Sequence, residues 1–253
     1  MCTLALYFGF FDNASLLVAA NRDEHYDRPS AEPFLSNTSP KILAGRDLRA
    51  GGTWLGVNEY GLVVGILNRR VNGDQLPQAT LRSRGLLCMD LLAHNSAVAA
   101  AAFIEAHDSL YNPFTVMFAD RGNAFAAYNH GDKIATRRLD VGLHVFSSAA
   151  EGDIGSPKAE RAHGKFAEAL TGHSASAGPA SWIVPLQKVL ADHTLEDGSN
   201  DRGDAICVHR QDSGTVSSSI VVLSQANSRF EMSHCPGPPC QNDFRSALIL
   251  DVR

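Results

Sequence analysis

Short apolar runs alternate with turn-forming residues along the chain, and each run has the length of a strand rather than of a membrane span. The first two runs, 3–8 and 15–20, stand close enough in sequence to predict a hairpin that opens the chain. The further predicted strands are 53–57, 62–68, 114–119, 124–129, 134–139, 143–147, 205–209, 217–223 and 229–234.

Four segments carry helical signals instead. The pattern predicts helices over 84–93 and 97–106, the second capped by Asn95 or Ser96. A third helix is predicted from Ser156-Pro157 to about residue 170, because serine is a good N-cap and proline suits the first helical position. Ser181 is predicted to cap a fourth helix over 182–193.

The order of these elements indicates the fold class. Four strands, two helices, four strands, two helices and three strands follow one another, so strands come in runs. Runs of this kind favour an α+β fold over a doubly wound parallel sheet. Two antiparallel sheets stacked face to face, with the helix pairs outside, would use every element. No internal repeat or linker stands out, so we expect a single domain over residues 1–253.

Composition and charge limit the classes of partner and the cellular compartment that we expect for the chain. The net charge is -5, and the densest basic spots are only the pairs Arg69-Arg70 and Arg137-Arg138, which excludes a nucleic-acid footprint. The apolar start of the chain lacks a basic n-region and a cleavage site, so it does not predict a signal peptide. Five cysteines, an odd number, favour reduced thiols and a cytoplasmic location. The oligomeric state stays open.

Four of the cysteines have structural interpretations. Cys88 and Cys207 stand in apolar stretches and are expected in the core. Cys235 and Cys240 flank Pro-Gly-Pro-Pro, which we interpret as a stiff surface loop, because their spacing matches no common zinc pattern. The ten histidines show no His-Glu-x-x-His spacing, so no metal is expected.

Cys2 is the candidate reactive centre. Methionine is usually removed before a small residue, and removal of Met1 would place a thiol and a free α-amine on Cys2. The adjacent amine would be a general base for its own nucleophile. Such a centre suits attack on an amide or ester carbonyl through an acyl-enzyme. The simpler alternative is that a small residue at position two is merely tolerated.

The polar segment Asn21-Arg22-Asp23-Glu24 directly ends an apolar strand and so lies at its mouth. On a strand, Asn21 and Asp23 would share one face, and Arg22 and Glu24 the other. One face could orient the amine of Cys2; the alternative is a solvated strand end with an Arg–Glu pair.

The stretch 51–56, Gly-Gly-Thr-Trp-Leu-Gly, lacks the lysine and helix of a phosphate loop, so its glycines favour close backbone approach or a bulge. Trp54 could line a pocket or belong to the core. Asn68 ends a buried strand, where its amide could donate to an oxyanion, or it is a turn residue.

These residues resemble the NRDE family, also called the transport and Golgi organisation family. The resemblance rests on Met1-Cys2, residues 17–24, Arg28-Pro29, residues 45–47 and residues 51–56, and residues 111–114 and 214–223 also fit it. It implies an αββα sandwich of the N-terminal-nucleophile (Ntn) hydrolase type, distantly similar to penicillin V acylase and bile salt hydrolase. It also implies Cys2 as the nucleophile of an amide hydrolase, with Asp23 or Glu24 holding the amine. The residues implied in catalysis are Cys2, Asn21, Arg22, Asp23 and Asn68, and those implied in substrate binding are Glu24, Arg28, Trp54 and Ser148.

Two positions depart from the family pattern. Ser148 stands where members typically carry asparagine, and Val216 where they carry arginine. Loss of an oxyanion donor can lower a rate by orders of magnitude. The family has also been linked to haem movement in cells. The rival hypothesis is therefore a non-catalytic carrier of haem or another hydrophobic small molecule, in which Cys235 could serve as a thiolate ligand.

Overall fold

The computed structural model describes residues 2–12, 14–69, 78, 80–107, 110–130, 133–148, 156–171, 180–195 and 202–253. The strands are β1 (Thr3–Phe11), β2 (Ala14–His25), β3 (Ser30–Leu35), β4 (Ile42–Asp47), β5 (Leu55–Asn58), β6 (Val63–Asn68), β7 (Phe114–Ala119), β8 (Ala124–His130), β9 (Lys133–Arg138), β10 (Gly142–Ser147), β11 (Ser213–Ser224), β12 (Arg229–Cys235) and β13 (Leu248–Asp251). The helices are α1 (Arg84–Leu92), α2 (Ala97–Glu105), α3 (Pro157–Ala169) and α4 (Ala180–Leu190).

The strands form two antiparallel sheets. The order β10-β1-β2-β11-β12-β13 makes a six-stranded sheet, and β3 to β9 follow one another in a seven-stranded sheet. Helices α1 and α2 contact the seven-stranded sheet, while α3 and α4 contact the six-stranded sheet. The layers are therefore helix, sheet, sheet, helix, and the predicted α+β sandwich is confirmed.

Three layers of apolar side chains hold the four layers together. One cluster joins the two sheets, and the other two join each sheet to its helix pair. Strand β1 shows how the sequence supplies two layers at once: Leu4 and Leu6 face the other sheet, whereas Ala5 and Tyr7 face the helices. Because successive strand residues point to opposite faces, a continuous apolar run is what a doubly covered strand requires.

Local signals fix the helix starts. Ser156 accepts a hydrogen bond from the Ala159 backbone N–H at 3.1 Å, as predicted, with Pro157 in the first turn. Ser96 rather than Asn95 caps α2, accepting from Ala99 at 3.1 Å. The prediction for α4 was wrong at its start, because the helix begins before Ser181.

The structure corrects several strand predictions. Residues 205–209 are irregular apart from a bridge between His209 and Gly214, because they pack as a buried loop beside β11. Strands β3, β4 and β13 were not predicted. Much of β3 and β13 is solvent-exposed, which weakens the hydrophobic signal. The hairpin strands β1 and β2 also extend beyond their predicted ends, and β2 carries residues 21–25 into the sheet.

Among the helices of the described residues, none is long and apolar enough to cross a membrane.

Candidate active site at Cys2

Cys2 directly precedes β1, between the ends of β2 and β10. Its backbone nitrogen donates to Ser148 Oγ at 3.0 Å, and the Ser148 nitrogen donates to the Cys2 carbonyl at 3.3 Å. On the other side, the Asp23 backbone N–H donates to Cys2 Sγ at 3.3 Å. Ser148 and Asp23 thus hold the nitrogen and the sulfur of Cys2. An N-terminal cysteine nucleophile would use both atoms, the nitrogen as base and the sulfur for attack. Met1 lies outside the described residues.

The carboxylate of Asp23 is buried behind Cys2. Thr215 Oγ1 donates to its Oδ1 at 2.6 Å, and Lys158 Nζ lies 3.9 Å from its Oδ2. The side chains of Lys158 and Asp23 are only 1% and 2% exposed, so this ion pair is shielded from water. Lys158 Nζ also donates to the Gly203 carbonyl at 3.0 Å. Burial lowers the pKa of Lys158, while the charge of Asp23 acts to raise it.

The surroundings of the Cys2 thiol favour its neutral form. Burial raises its pKa, the charge of Asp23 raises it further, and the hydrogen bond from the Asp23 backbone acts in the opposite direction. Because a thiol is nucleophilic only as thiolate, reaction at neutral pH requires a base that removes the proton during attack.

A polar cavity of about 150 Å³ opens beside Cys2. Of the residues implied by the sequence, it brings together Cys2, Asp23, Glu24, Asn68 and Ser148. The remaining wall comes from His25, Val208, Arg210, Ser213 and Gly214.

Asn21 and Arg22 do not line this cavity. Asn21 Nδ2 donates to the carbonyls of Leu190 and Ile206 at 2.9 and 3.0 Å, so its amide ties β2 to the helix side of the sheet. Arg22 faces the other sheet, with its guanidinium 4.3 Å from the Trp54 ring centroid. The predicted alternation of faces therefore holds, but these two residues have structural partners.

Trp54 and Arg28 also lie away from the cavity. Trp54 is half-buried and packs against the core between the sheets. Arg28 forms an ion pair with Asp47 at 2.6 Å and approaches Glu24 at 3.6 Å. Glu24 lines the cavity, but its carboxylate faces Arg22 and Arg28, whereas the backbone of Asp23 contacts Cys2. Of the two acidic residues left open by the sequence, Asp23 contacts Cys2 through its backbone N–H on the sulfur, whereas its carboxylate faces Thr215 and Lys158 and the Cys2 nitrogen donates to Ser148.

The two departures from the family pattern occupy different places. Ser148 is buried and contacts the Cys2 nitrogen directly. Val216 stands at a β-bulge, where the pairing of β11 with β2 shifts between Thr215 and Ser217. It is not among the described residues that line the cavity.

Sequence reasoning missed Lys158 and Thr215. One signal for Lys158 existed, because a cation in the first turn of a helix opposes the helix dipole and so needs a compensating anion. Asp23 supplies that anion. Thr215 offered no signal beyond a polar start to a predicted strand.

The other cysteines are free in the structure. Cys88 and Cys207 are buried, as predicted. The stretch 236–239 is a loop, as predicted, with Pro236 exposed, but Cys235 itself is buried at the end of β12 and its Sγ contacts the Gly237 and Asn242 carbonyls at 3.5 and 3.4 Å. Burial raises its pKa to about 11, which opposes the thiolate that a haem iron would require.

The two-sheet sandwich with Cys2 at the head of β1 defines the class: the fold is that of Ntn hydrolases. The chain belongs to the family described as Transport and Golgi organisation 2, whose sequence profile matches residues 1–233. The mouse Transport and Golgi organization 2 homolog is 28% identical over 233 residues, covering 82% of each chain. The human homolog is 26% identical over 235 residues, again covering 82% of each.

Solved structures with this fold are more distant in sequence. Penicillin V acylase from Agrobacterium tumefaciens superposes with a TM-score of 0.60 at 12% identity, covering 91% of this chain and 82% of its own. A mutant of the conjugated bile acid hydrolase from Clostridium perfringens gives 0.60 at 11% identity, covering 99% and 92%. The N-acylethanolamine-hydrolyzing acid amidase ortholog of Caenorhabditis elegans gives 0.54 at 14% identity, covering 87% and 92%. At these identities the likeness concerns the fold alone.

Proposed function

We propose that the protein is an Ntn-type hydrolase that cleaves the carbon–nitrogen bond of a small amide, with Cys2 as nucleophile once Met1 has been removed. The observation that carries the proposal is the pair of contacts at Cys2: Ser148 Oγ on its nitrogen and the Asp23 N–H on its sulfur, at the edge of a polar cavity. The names of the three solved neighbours, an acylase, a hydrolase and an acid amidase, support the same class of reaction.

The reaction would begin at the thiol. The free amine of Cys2 takes the thiol proton while the sulfur attacks the carbonyl carbon of the substrate. The carbon–nitrogen bond then breaks, the ammonium returns its proton to the departing amine, and a thioester remains on Cys2. Water, deprotonated by the same amine, attacks the thioester and releases a carboxylic acid and the thiol.

The surrounding residues would serve this sequence in different ways. Ser148 Oγ orients the amine, and the Asp23 N–H stabilises negative charge developing on the sulfur. Asn68 ends β6 of the seven-stranded sheet and lines the same cavity, where its amide would donate to the oxyanion. Lys158 balances the carboxylate of Asp23.

The cavity favours this reaction over the carrier hypothesis. Most of its lining residues have polar or charged side chains, although nearly half of its surface is apolar, and its volume of about 150 Å³ lies below the roughly 300 Å³ of pockets that enclose drug-sized ligands. Only a small reacting group would enter it, and the remainder of the substrate would extend into solvent. Thiol chemistry of this kind suits a reducing compartment, and we propose the cytoplasm.

The test combines two measurements on the purified protein. Intact-mass spectrometry is expected to show loss of Met1, and a thiol-directed acylating probe is expected to label Cys2. Cys2→Ala should abolish labelling, whereas Cys88→Ala, a change at a buried thiol, should leave it unchanged. Release of primary amine from a panel of N-acyl compounds would then identify the substrate class.

Two results would end the proposal. One is a mature protein that retains Met1, since its Cys2 nitrogen would be an amide without a basic lone pair. The other is labelling that persists at full strength in Cys2→Ala.

A further inference from the structure

A second cavity, of about 220 Å³, opens on the helix side of the six-stranded sheet, away from Cys2. Three segments bring four potential metal ligands together at this cavity: three of them line it, and the fourth, Cys240, lies beside them. His193 follows α4, Cys207 and His209 precede β11, and Cys240 follows β12; we call these four residues the Cys/His cluster. None of them lines the Cys2 cavity.

Three of the ligand atoms already form a compact triangle. His209 Nε2 and Cys240 Sγ are 3.1 Å apart, and Cys207 Sγ lies 3.6 Å from each of them. Around a tetrahedral zinc ion with ordinary bond lengths, a sulfur–nitrogen edge measures about 3.6 Å and a sulfur–sulfur edge about 3.8 Å. The observed triangle therefore matches one face of such a tetrahedron to within about 0.5 Å.

His193 can complete the tetrahedron. Ligand atoms of His193, His209 and Cys240 all lie within 4.8 Å of one another. The corresponding edges around zinc measure about 3.4–3.6 Å. Cys207 does not belong to this group, so the imidazole of His193 must approach the Cys207 Sγ by more than about 1 Å to complete the tetrahedron. Its side chain is exposed, so a small change of rotamer meets little resistance.

We propose that His193, Cys207, His209 and Cys240 form a structural zinc site. Two thiolates and two imidazoles are the ligand set of tetrahedral zinc, and oxygen-preferring ions such as Mg²⁺ and Ca²⁺ are disfavoured by it. Two thiolates also balance the charge of Zn²⁺, which allows Arg202 to line the same cavity.

Backbone hydrogen bonds hold the ligands in place. The Cys207 nitrogen donates to the Asp192 carbonyl at 2.8 Å, which joins the segments carrying Cys207 and His193. His209 is held by its bridge with Gly214. Cys240 stands in a turn in which the Gln241 nitrogen donates to the Pro238 carbonyl at 3.0 Å. The site is thus preorganised, which lowers the entropy lost on binding.

The sequence did not reveal this site. Cys207 and His209 are separated by one residue, and Cys240 follows 31 residues later, which matches no common zinc spacing. The zinc patterns recognisable in a sequence place ligand pairs on short loops, whereas here the packing of three distant segments brings them together.

Zinc at this position would also brace the Cys2 cavity. Val208, between two of the ligands, lines that cavity and exchanges hydrogen bonds with Thr215: its N–H donates to Thr215 Oγ1 at 2.8 Å, and the Thr215 N–H donates to its carbonyl at 2.9 Å. Thr215 in turn donates to Asp23. The metal site is proposed independently of the hydrolase activity.

The test measures zinc in the full chain purified under reducing conditions without added chelator. Elemental analysis is expected to give about one zinc per chain. Replacement by Co²⁺ is expected to give thiolate-to-metal absorption bands. Cys240→Ser should lower zinc affinity at least about tenfold, and His193→Ala, at an exposed residue that does not affect the core, should also weaken binding. Cys88→Ala and Cys2→Ala should keep the full content, which excludes adventitious binding at the Cys2 thiol.

Any of three outcomes overturns the zinc site. The first is purified, folded protein with less than about a tenth of an equivalent of zinc that also fails to take up Co²⁺ with thiolate bands. The second is His193→Ala and Cys240→Ser with the zinc affinity of the unchanged protein. The third is a disulfide between Cys207 and Cys240 that persists, in place of a metal centre, in the protein purified under reducing conditions and supplied with zinc.

Discussion

The buried ion pair of Lys158 and Asp23 gives a quantitative test of the structure behind Cys2. Lys158→Met keeps the length of the side chain but removes its charge. At the observed separation of 3.9 Å, the attraction between the two charges is about 4 kcal/mol at an effective dielectric constant of 20. The dipole of α3 opposes a cation in its first turn by about 0.5 kcal/mol, which Lys158→Met recovers.

The variant also leaves two buried acceptors behind. Asp23 loses its cationic partner, and the Gly203 carbonyl loses the ammonium that donates to it at 3.0 Å. Breaking one side of a buried ion pair typically costs about 3–5 kcal/mol, and we expect Lys158→Met to fall in that range. Asp23→Asn in the same chain should recover much of the loss, since the amide is neutral and can still accept from Thr215.

Urea denaturation of the two single variants and the double variant measures the coupling energy directly. We expect at least about 2 kcal/mol. Lys188→Met is the matched control, because Lys188 is also helical but exposed, and it should change the free energy of unfolding by less than about 0.5 kcal/mol. A coupling energy below about 0.5 kcal/mol would refute the ion pair as a determinant of the site.

Three further predictions concern other parts of the chain. Asn68→Ala, at an exposed strand end, should lower kcat on an identified amide substrate by about 100-fold or more with little change in KM, and an unchanged kcat would remove Asn68 from the oxyanion site. Gly52→Ala should cost about 3 kcal/mol or more, because its Cβ would lie 2.1 Å from the carbonyl carbon of Gly85. Gly51→Ala, where a Cβ meets nothing within 4 Å but φ is +81°, should cost only about 1 kcal/mol; equal melting temperatures for the two variants would contradict this difference. Burial lowers the pKa of His234 to about 4, so the folded protein keeps this imidazole neutral where the unfolded chain binds a proton. The free energy of unfolding should therefore fall by up to about 3 kcal/mol as pH drops from about 6.5 to 4, and His234→Gln should flatten that slope in urea titrations at each pH.

The layered fold could be predicted because its inner strands carry continuous apolar runs. Buried on both faces are strands β1, β2, β6, β7 and β11. Each of them contains a run of apolar residues that can be recognised in the sequence. The edge strands β3 and β13 are largely exposed, so their sequences resemble polar loops and the pattern did not predict them. The stretch 205–209 is the opposite case, since it is buried without being a strand.

The candidate site divides along similar lines. Cys2 and Asn68 stand at strand ends, whereas Asp23 lies within β2, beyond the strand end at residue 20 that the sequence pattern predicted. Pairing between the strands then brings Cys2 against Asp23. Asn21 was implied in catalysis by the family resemblance, but its buried amide donates to two backbone carbonyls instead. For Lys158 the sequence shows a cation in the first turn of a helix, but its pairing with Asp23 depends on how α3 packs on its sheet.

Ser148 lines the cavity and accepts a hydrogen bond from the Cys2 nitrogen, so this nitrogen lies beside the cavity wall. A recombinant protein with an affinity tag ahead of Cys2 would carry an amide at that point and would press extra chain against the cavity mouth. Such a preparation is expected to show no activity in an amidase screen even when it is correctly folded. Material for substrate discovery should therefore be released by a protease that leaves Cys2 as the first residue.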